Sequence, residues 1–239
     1  MANVTGTFIP LATPFTDDGR ALSEVRMVRQ IRYWNERGAP GFYLSGETGE
    51  FLTVVTSERK TILEVTHREC QGAVPILVNV SSVSTALSLD LAQHAGRHGA
   101  TAVFVTPPYF GRYTVSEHIN HLRAVVGLAG LPVVIADLFG ALKEGVGNAF
   151  ATLPQVEFAT GTAFDEWKSE GASVHAITAL AELFPEADRA LLGAAYLAHG
   201  PAVLVKAAFE RMEIDLGSPR SPKSPVDARE LSELLKLAA

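Results

Sequence analysis

Residues 1–140 alternate between short apolar runs and amphipathic segments, and this alternation constrains the fold more than any other feature of the chain. The apolar runs show no regular polar alternation, which is typical of strands that are buried on both faces. These runs span residues 7–10, 41–46, 75–80, 101–107 and 132–137. Helix-like segments span residues 22–37, 57–70, 84–98 and 115–128. Strands that alternate with helices in this way predict an α/β fold with parallel strands.

The second half of the chain is less regular. Residues 156–161 and 173–178 are the remaining strand candidates, and the segment between them is too short for a complete crossover helix. Further helices are expected over residues 179–198, 203–212 and 227–237. The candidates therefore number seven strands, one fewer than a complete eight-stranded barrel.

A closed barrel is favoured over a doubly wound sheet. No Gly-x-Gly-x-x-Gly turn follows the first apolar run, which argues against a nucleotide-binding sheet. The length of 239 residues suits a barrel, for which about 250 residues are usual. We therefore expect an α/β chain with a (β/α)8 TIM-barrel fold, shortened or incomplete around strands six and seven. The barrel-like domain is expected over residues 1–217, followed at 218–239 by a Ser-Pro spacer and a C-terminal helix that packs on the barrel.

The composition excludes several classes of partner. The net charge is −6 and no run of Lys and Arg exceeds two residues, so neither a nucleic-acid nor a membrane surface is expected. The single cysteine, Cys70, excludes an intramolecular disulfide and fits a reducing compartment. No signal peptide is visible at the N-terminus, and Pro132, Asp137 and three glycines interrupt the most apolar window, 124–142. We expect a cytoplasmic protein.

Several motifs occur in an order that resembles the dihydrodipicolinate synthase/N-acetylneuraminate lyase family of pyruvate-dependent aldolases. They include FIPLATPF at 8–15, GAPGFYLSGETGE at 38–50, the Pro-Pro-Tyr of 107–109 and LPVVI at 131–135. The similarity is dense over residues 1–137 and patchy over 138–239. The resemblance implies a (β/α)8 barrel, commonly a homotetramer, and a lysine that forms a Schiff base with pyruvate or a related 2-keto acid. It also implies a tyrosine and hydroxyl relay that transfers protons.

The chain departs from the family pattern at the residues that carry this chemistry. The Tyr-Asn pair that ends strand five in the family is Ala136-Asp137 here, and alanine transfers no proton. The second tyrosine of the Pro-Pro-Tyr-Tyr motif is Phe110. The first threonine of the Gly-Thr-Thr-Gly-Glu loop is Glu47, whereas Thr48 is retained. All three members of the relay are therefore changed.

The Schiff-base lysine and the carboxylate-binding arginine are also not found. Thr160 stands where the lysine of strand six would align, and a second alignment makes residues 154–160 strand seven, with strand six and its helix deleted. Residues 140–142 are Gly-Ala-Leu near the place of the arginine. On either alignment, ordinary pyruvate-aldolase activity is not expected.

The functional end of such a barrel lies at the C-terminal ends of its strands. Residues expected to contact a ligand there are Thr13, Glu47, Thr48, Asn79, Tyr109, Phe110 and Asp137, with Thr160, Thr162 and His175 as further candidates for this end. The catalytic candidates are Glu47 and Asp137 as replacement bases, and Lys143 and Lys168 as displaced amines. The acids and histidine at this end have no signature spacing, so no metal site is predicted, and no cofactor is expected. His94 and His98, four residues apart on a helix, are interpreted as surface residues.

These observations predict a degenerate homologue of the family that acts in ligand binding or in assembly, with a small carboxylate or keto acid as ligand and a homo-oligomer as quaternary structure. The alternative is a lyase or aldolase that acts on a 2-keto acid or related carbonyl compound with a displaced lysine or an acidic base. A third interpretation is an incomplete barrel that closes only by pairing with a second copy, since an open barrel would expose strand edges.

Overall fold

The computed structural model describes residues 4–138 and 145–237, apart from the side chains of Asp137 and Ala228. The strands are β1 (Gly6–Pro10), β2 (Phe42–Leu44), β3 (Ile76–Asn79), β4 (Ala102–Val105), β5 (Val133–Leu138), β6 (Val156–Ala163), β7 (Glu166–Lys168) and β8 (Ala172–His175). The helices are α1 (Glu24–Glu36), α2 (Thr56–Cys70), α3 (Thr85–Arg97), α4 (Val115–Ala129), α5 (Ala176–Leu183), α6 (Arg189–His199), α7 (Pro201–Arg211) and α8 (Ala228–Leu235), with a short 3₁₀ helix at Gly147–Ala149.

The strands form a closed barrel in the order of the chain. Strands β1 to β6 pair in parallel, and β8 pairs in parallel with β1. Strand β7 is antiparallel to both of its neighbours. The predicted barrel is therefore confirmed, with one strand that runs against the others.

The part of the barrel that departs from a regular strand–helix alternation is β6–β8. Only Phe164 and Asp165 separate β6 from β7, and residues 169–171 separate β7 from β8. The expectation of seven strands was wrong, because the segment judged too short for a crossover helix instead forms a hairpin strand. The interpretation that the barrel closes only with a second copy was also wrong, since the eighth position is filled within the chain.

Local signals explain where several helices begin and end. Thr114 caps α4 by accepting a hydrogen bond from the Glu117 amide, and the Glu117 carboxylate accepts one from the Thr114 amide at 2.6 Å. The expectation of one helix over residues 179–198 was wrong, because α5 ends at Leu183 and a second helix, α6, begins after its N-cap residue Asp188. The Asp188 side chain accepts hydrogen bonds from the amides of Ala190 and Leu191, which favours a new helix start.

Side chains alternate between two buried clusters. One cluster lies between the strands and the surrounding helices, and it includes Ile9, Phe42, Val78, Val105 and Ile135. The other fills the interior of the barrel and consists mainly of Phe8, Tyr43, Leu77, Phe104, Val134, Ala136, Ala159, Trp167 and Val174. The interior is therefore a packed core, as is usual for barrels of eight strands.

The C-terminal segment packs on the same core. Leu231 and Leu235 of α8 are buried in the cluster that α5–α7 share with the barrel. The division into a domain at 1–217 and a tail at 218–239 remains a prediction. In the part of the chain that the structure describes, no single helix is long and apolar enough to cross a membrane, and only α6 and α7 taken together, bent by 118°, meet that length and composition.

Candidate functional site

The β6–β7 turn lies at the end of the barrel where functional residues are expected. The seven parallel strands, β1–β6 and β8, all end there, and the chain turns back into β7 after β6. The two turn residues, Phe164 and Asp165, are thereby held against the loop that follows β2. The barrel mouth is thus partly occupied by the chain itself.

Asp165 is the most buried charged group at this end. Its side chain is inaccessible to solvent, and its carboxylate accepts hydrogen bonds from the backbone amides of Glu47, at 2.8 Å, and Thr48. Burial raises the pKa of Asp165 to about 7, against the lowering effect of these hydrogen bonds. Gly46 permits the approach, because a Cβ atom at that position would lie 1.9 Å from Asp165 Oδ1.

An aromatic group fills the interior below this turn. The Trp167 indole stacks on Phe104 with centroids 5.0 Å apart and meets the edge of Tyr43 at 6.0 Å. Ala136 faces the same cluster, at the position where the family pattern has a tyrosine. Ala136 and Trp167 therefore belong to the same hydrophobic core.

Phe164 extends the aromatic group to the barrel mouth. Its ring lies 4.6 Å from that of Phe51 and 5.6 Å from that of Tyr109. Burial raises the pKa of the Tyr109 phenol, and the nearby Arg59 opposes this shift. Tyr109, which the resemblance places in the site, therefore packs against both Phe51 and Phe164.

Three of the predicted ligand contacts are engaged in backbone hydrogen bonds. Thr13 Oγ1 donates to the Gly49 carbonyl at 2.7 Å. Asn79 Nδ2 donates to the Ser45 carbonyl at 2.7 Å, and its Oδ1 accepts from the Ser81 amide at 2.9 Å. Thr48 is buried, with its amide bonded to Asp165. These residues shape the loops, and their role as ligand contacts remains a prediction.

Glu47 is half-buried above the turn. Burial raises the pKa of its carboxylate, and the positive charge of Lys223 from the Ser-Pro spacer lowers it. Its backbone amide is fixed by Asp165. The structure thus brings Glu47 next to a second acid that sequence reasoning missed, because a single Asp in a turn has no distinguishing pattern.

Several other candidates lie elsewhere. Lys168 is exposed on β7, and its neighbour Trp167 points into the barrel, so the lysine lies on the outer face. Thr160 is also exposed on the outer face, whereas Ala159 faces the interior. Lys143 lies outside the described residues. Asp137 belongs to β5 and pairs with Thr160, but its side chain is outside the described part.

The remaining two candidates lie near the hairpin. Thr162 is exposed on β6. His175 Nδ1 lies 3.2 Å from the Glu166 carboxylate, and the same carboxylate accepts a hydrogen bond from the Ile177 amide. His175 therefore belongs to a contact between β7 and the start of α5.

A groove beside the mouth contains an arginine. It has a volume of about 630 Å³ and is lined by Arg59, Tyr109, Phe110, Leu52, Val83 and Leu87, among others. The Arg59 guanidinium donates to the carbonyls of Ser81 and Asn79, and burial lowers its pKa to about 10. Phe110 is 81% exposed at the groove. The groove therefore combines a cation with an apolar rim.

The described part of the chain contains one fully buried lysine, and it is not in the barrel interior. Lys206 of α7 donates to Glu50 at 2.7 Å and to the Ser218 carbonyl at 3.1 Å. Burial lowers the pKa of Lys206 to about 8, although Glu50 opposes the shift. This pair fastens the C-terminal segment to the loop after β2.

Sequence comparison agrees with the motifs. A profile of the dihydrodipicolinate synthetase family matches residues 3–138. The N-acetylneuraminate lyase of Escherichia coli strain SMS-3-5 is 33% identical over 173 residues, which make up 70% of this chain and 58% of that protein. This chain belongs to the dihydrodipicolinate synthetase family. The family predicted from the motifs is confirmed, and the chain spans 58% of the length of this lyase.

Solved structures support the fold of this family member. The Proteus mirabilis N-acetylneuraminate lyase superposes with a TM-score of 0.77 at 19% identity, covering 98% of this chain and 97% of that one. A catalytic lysine mutant of the Ruminococcus gnavus sialic acid aldolase gives a TM-score of 0.77 at 17% identity, covering 97% and 93%. At these identities the similarity establishes the barrel alone.

Proposed function

We propose that this member of the dihydrodipicolinate synthetase family does not act as a Schiff-base aldolase and instead functions through assembly with further copies of itself. The observation that carries the proposal is the β6–β7 turn, whose Phe164 and Asp165 occupy the barrel mouth. We expect both side chains to restrict the space available to a keto acid at this end of the barrel.

The composition of the barrel interior supports the loss of the reaction. Among the described residues the one buried lysine is Lys206 of α7, which pairs with Glu50 outside the barrel interior, and the position of the family tyrosine is Ala136. Without an amine, no iminium forms to accept the electrons of the breaking bond. Loss of one proton-transfer group alone costs roughly 10²- to 10⁴-fold in rate. Loss of both the lysine and the tyrosine supports a function that depends on the surface of the barrel and not on a reaction in its interior.

The apolar rim of the groove supports assembly. Phe110, Leu52, Val55, Val83 and Leu87 are all exposed, with Phe110 at 81% and Leu52 at 72%. Exposed apolar side chains that adjoin one another mark interaction sites more often than free surface. The resemblance to a family of oligomers makes a second copy of this chain the occupant that we propose.

The oligomeric state tests this part of the proposal. Multi-angle light scattering of the purified chain is expected to show an oligomer, and Phe110→Asp is expected to shift it towards the monomer. Leu197→Asp is the matched control, since Leu197 is 85% exposed on α6, away from the groove. A wild-type monomer at micromolar concentration, or equal behaviour of the two variants, would exclude assembly through this surface.

The second candidate function is a lyase or aldolase with an acidic base. It is favoured by Asp165, a buried carboxylate with a pKa of about 7 beside Glu47, since perturbed acids cluster at functional sites. A small carboxylate substrate would meet the cation of Arg59 in the neighbouring groove.

Proton exchange distinguishes this candidate from the first. A base that acts on a keto acid exchanges the methyl protons of pyruvate with deuterium oxide, which proton NMR detects. Exchange that depends on wild-type protein and is lost in Glu47→Gln, which changes the partly exposed acid beside Asp165, would establish the acidic base. Exchange no faster than that of buffer would remove this candidate and leave the non-catalytic one.

A further inference from the structure

Two histidines and a glutamate meet on the outside of the barrel, far from its mouth. His94 lies in the last turn of α3, and His98 follows directly after that helix. Glu64 lies on the neighbouring α2. The two imidazoles are four residues apart and therefore project from the same face of the helix. Their rings stack at 4.0 Å with an angle of 14° between the planes.

The donor atoms of the three side chains converge. His94 Nε2 is 2.7 Å from Glu64 Oε1, and His98 Nδ1 is 3.9 Å from the same oxygen. One ligand atom from each residue lies within 4.8 Å of the other two. Around a tetrahedral ion with bonds of about 2.0–2.1 Å, ligand atoms are about 3.3 Å apart. To reach that spacing, the distance from His94 Nε2 to Glu64 Oε1 would lengthen by roughly 0.6 Å. The distance from His98 Nδ1 to the same oxygen would shorten by roughly the same amount.

From this convergence we propose that His94, His98 and Glu64 bind a divalent transition-metal ion such as Zn²⁺. Two imidazoles and one carboxylate suit Zn²⁺, Co²⁺, Ni²⁺ and Cu²⁺, whereas Mg²⁺ and Ca²⁺ prefer oxygen ligands. The half-exposed side chains of His98 and Glu64 leave the fourth position open to water.

The surroundings leave the three ligands available. The nearest lysine, Lys60, is one turn before Glu64 and is paired with Asp90 at 2.6 Å. The Glu64 side chain is 46% exposed, and its carboxylate contacts both histidines.

Because the ligands come from two helices, the ion would bind the folded chain and stabilise the contact between α2 and α3. Stabilisation of this kind grows with the ratio of free metal to the dissociation constant. The site is independent of the barrel mouth, so the proposal holds whether or not the chain is an enzyme.

Calorimetric titration of tag-free protein with Zn²⁺ tests the site. We expect one ion per chain with micromolar affinity, a rise in melting temperature with Zn²⁺, and no response to Mg²⁺ or Ca²⁺. His94→Ala and His98→Ala should each weaken binding at least about tenfold, and Glu64→Gln should weaken it less than either. The matched control is His199→Ala, which removes a histidine at the end of α6 and should leave binding unchanged.

Two results would overturn the proposal. One is the absence of heat and of any thermal shift at about a hundredfold higher Zn²⁺ than a micromolar dissociation constant. The other is wild-type affinity in both His94→Ala and His98→Ala, each shown to be folded by circular dichroism, which would assign any bound Zn²⁺ to another place.

Discussion

The Asp165 carboxylate, at the tip of the β6–β7 hairpin, accepts a hydrogen bond of 2.8 Å from the backbone amide of Glu47. This contact joins two segments that are 118 residues apart in the chain. It holds the turn across the end of the barrel where relatives of this fold place their functional residues. The same contact therefore determines both the local stability of the mouth and its accessibility.

Stability should depend on pH through Asp165. Its folded pKa is raised from 3.8 to about 7, so the folded chain keeps a proton that the unfolded chain has released over this interval. Folding stability contributed by this group is therefore present at low pH and falls as pH rises towards 7. Between pH 5 and pH 8 we expect a loss of roughly 2–3 kcal/mol.

Urea denaturation of the wild type and Asp165→Asn at both pH values measures this loss. The Asn variant has no titrating group at this position, so its difference from the wild type should change by that amount. A difference between the two proteins that is the same at pH 5 and pH 8 would contradict the raised pKa.

Gly46→Ala should disturb the same contact from the opposite side. The added methyl group would lie 1.9 Å from Asp165 Oδ1 and 2.5 Å from the Tyr43 ring, and overpacking of this kind costs about 1–3 kcal/mol. Gly127→Ala is the control, because a Cβ there meets no atom within 4 Å and lies within α4, where alanine stabilises a helix. Denaturant midpoints that fall for both variants, or for neither, would contradict this packing.

Trp167→Ala should be among the most destabilising substitutions in the chain. The indole is 1% exposed and contacts Phe104 and Tyr43 inside the barrel, and truncation of a buried Trp costs about 3–5 kcal/mol. Leu197→Ala, at an exposed position, should change stability by less than about 0.5 kcal/mol. A loss below about 1 kcal/mol for Trp167→Ala, measured by denaturation, would mean that Trp167 does not fill the barrel.

Lys206→Met should show the cost of leaving Glu50 buried without its cation. Both side chains are almost inaccessible and their polar atoms are 2.7 Å apart, so loss of one partner is expected to cost about 3–5 kcal/mol. Lys60→Met, which removes a partly exposed partner of Asp90, should cost no more than about 1 kcal/mol. The double variant Lys206→Met with Glu50→Gln should recover part of the loss, and strict additivity of the two changes would contradict direct coupling.

The first half of the barrel could be predicted from the sequence because each strand there is a continuous apolar run. Residues 75–80 and 101–107, for example, contain β3 and β4, and the amphipathic segments between the runs form α1–α4. Continuous apolar runs that are bounded by amphipathic helical segments can be recognised without tertiary information.

The hairpin could not be predicted in the same way. Strand β7 contains only Glu166, Trp167 and Lys168, and three residues are too few to show a period. Its position is fixed by the burial of Trp167 and by pairing with β6 and β8, which are contacts distant in the chain. The inner and outer faces of β6 were likewise not evident, so Thr160 was aligned with a catalytic position although it faces outward.

The location of some candidate residues could be predicted from the sequence, whereas their roles remain predictions. Residues that follow parallel strands, such as Thr13, Thr48 and Asn79, do lie at the mouth, because strand ends meet at one end of a barrel. Asp165 could not be predicted, because its role depends on its burial and on the hydrogen bonds that it accepts from two backbone amides. Neither feature produces a pattern in the local sequence.

Borohydride reduction in the presence of pyruvate would show whether any lysine of this chain forms a Schiff base. The protein is incubated with pyruvate, reduced, and examined by intact mass and peptide mapping, with an active N-acetylneuraminate lyase as positive control. We expect no specific adduct, because the one buried lysine among the described residues, Lys206, lies outside the barrel interior, and because Ala136 and Trp167 belong to the hydrophobic cluster that fills this interior. A stoichiometric adduct on one lysine, Lys143 included, would contradict this expectation and identify the chain as a Schiff-base enzyme.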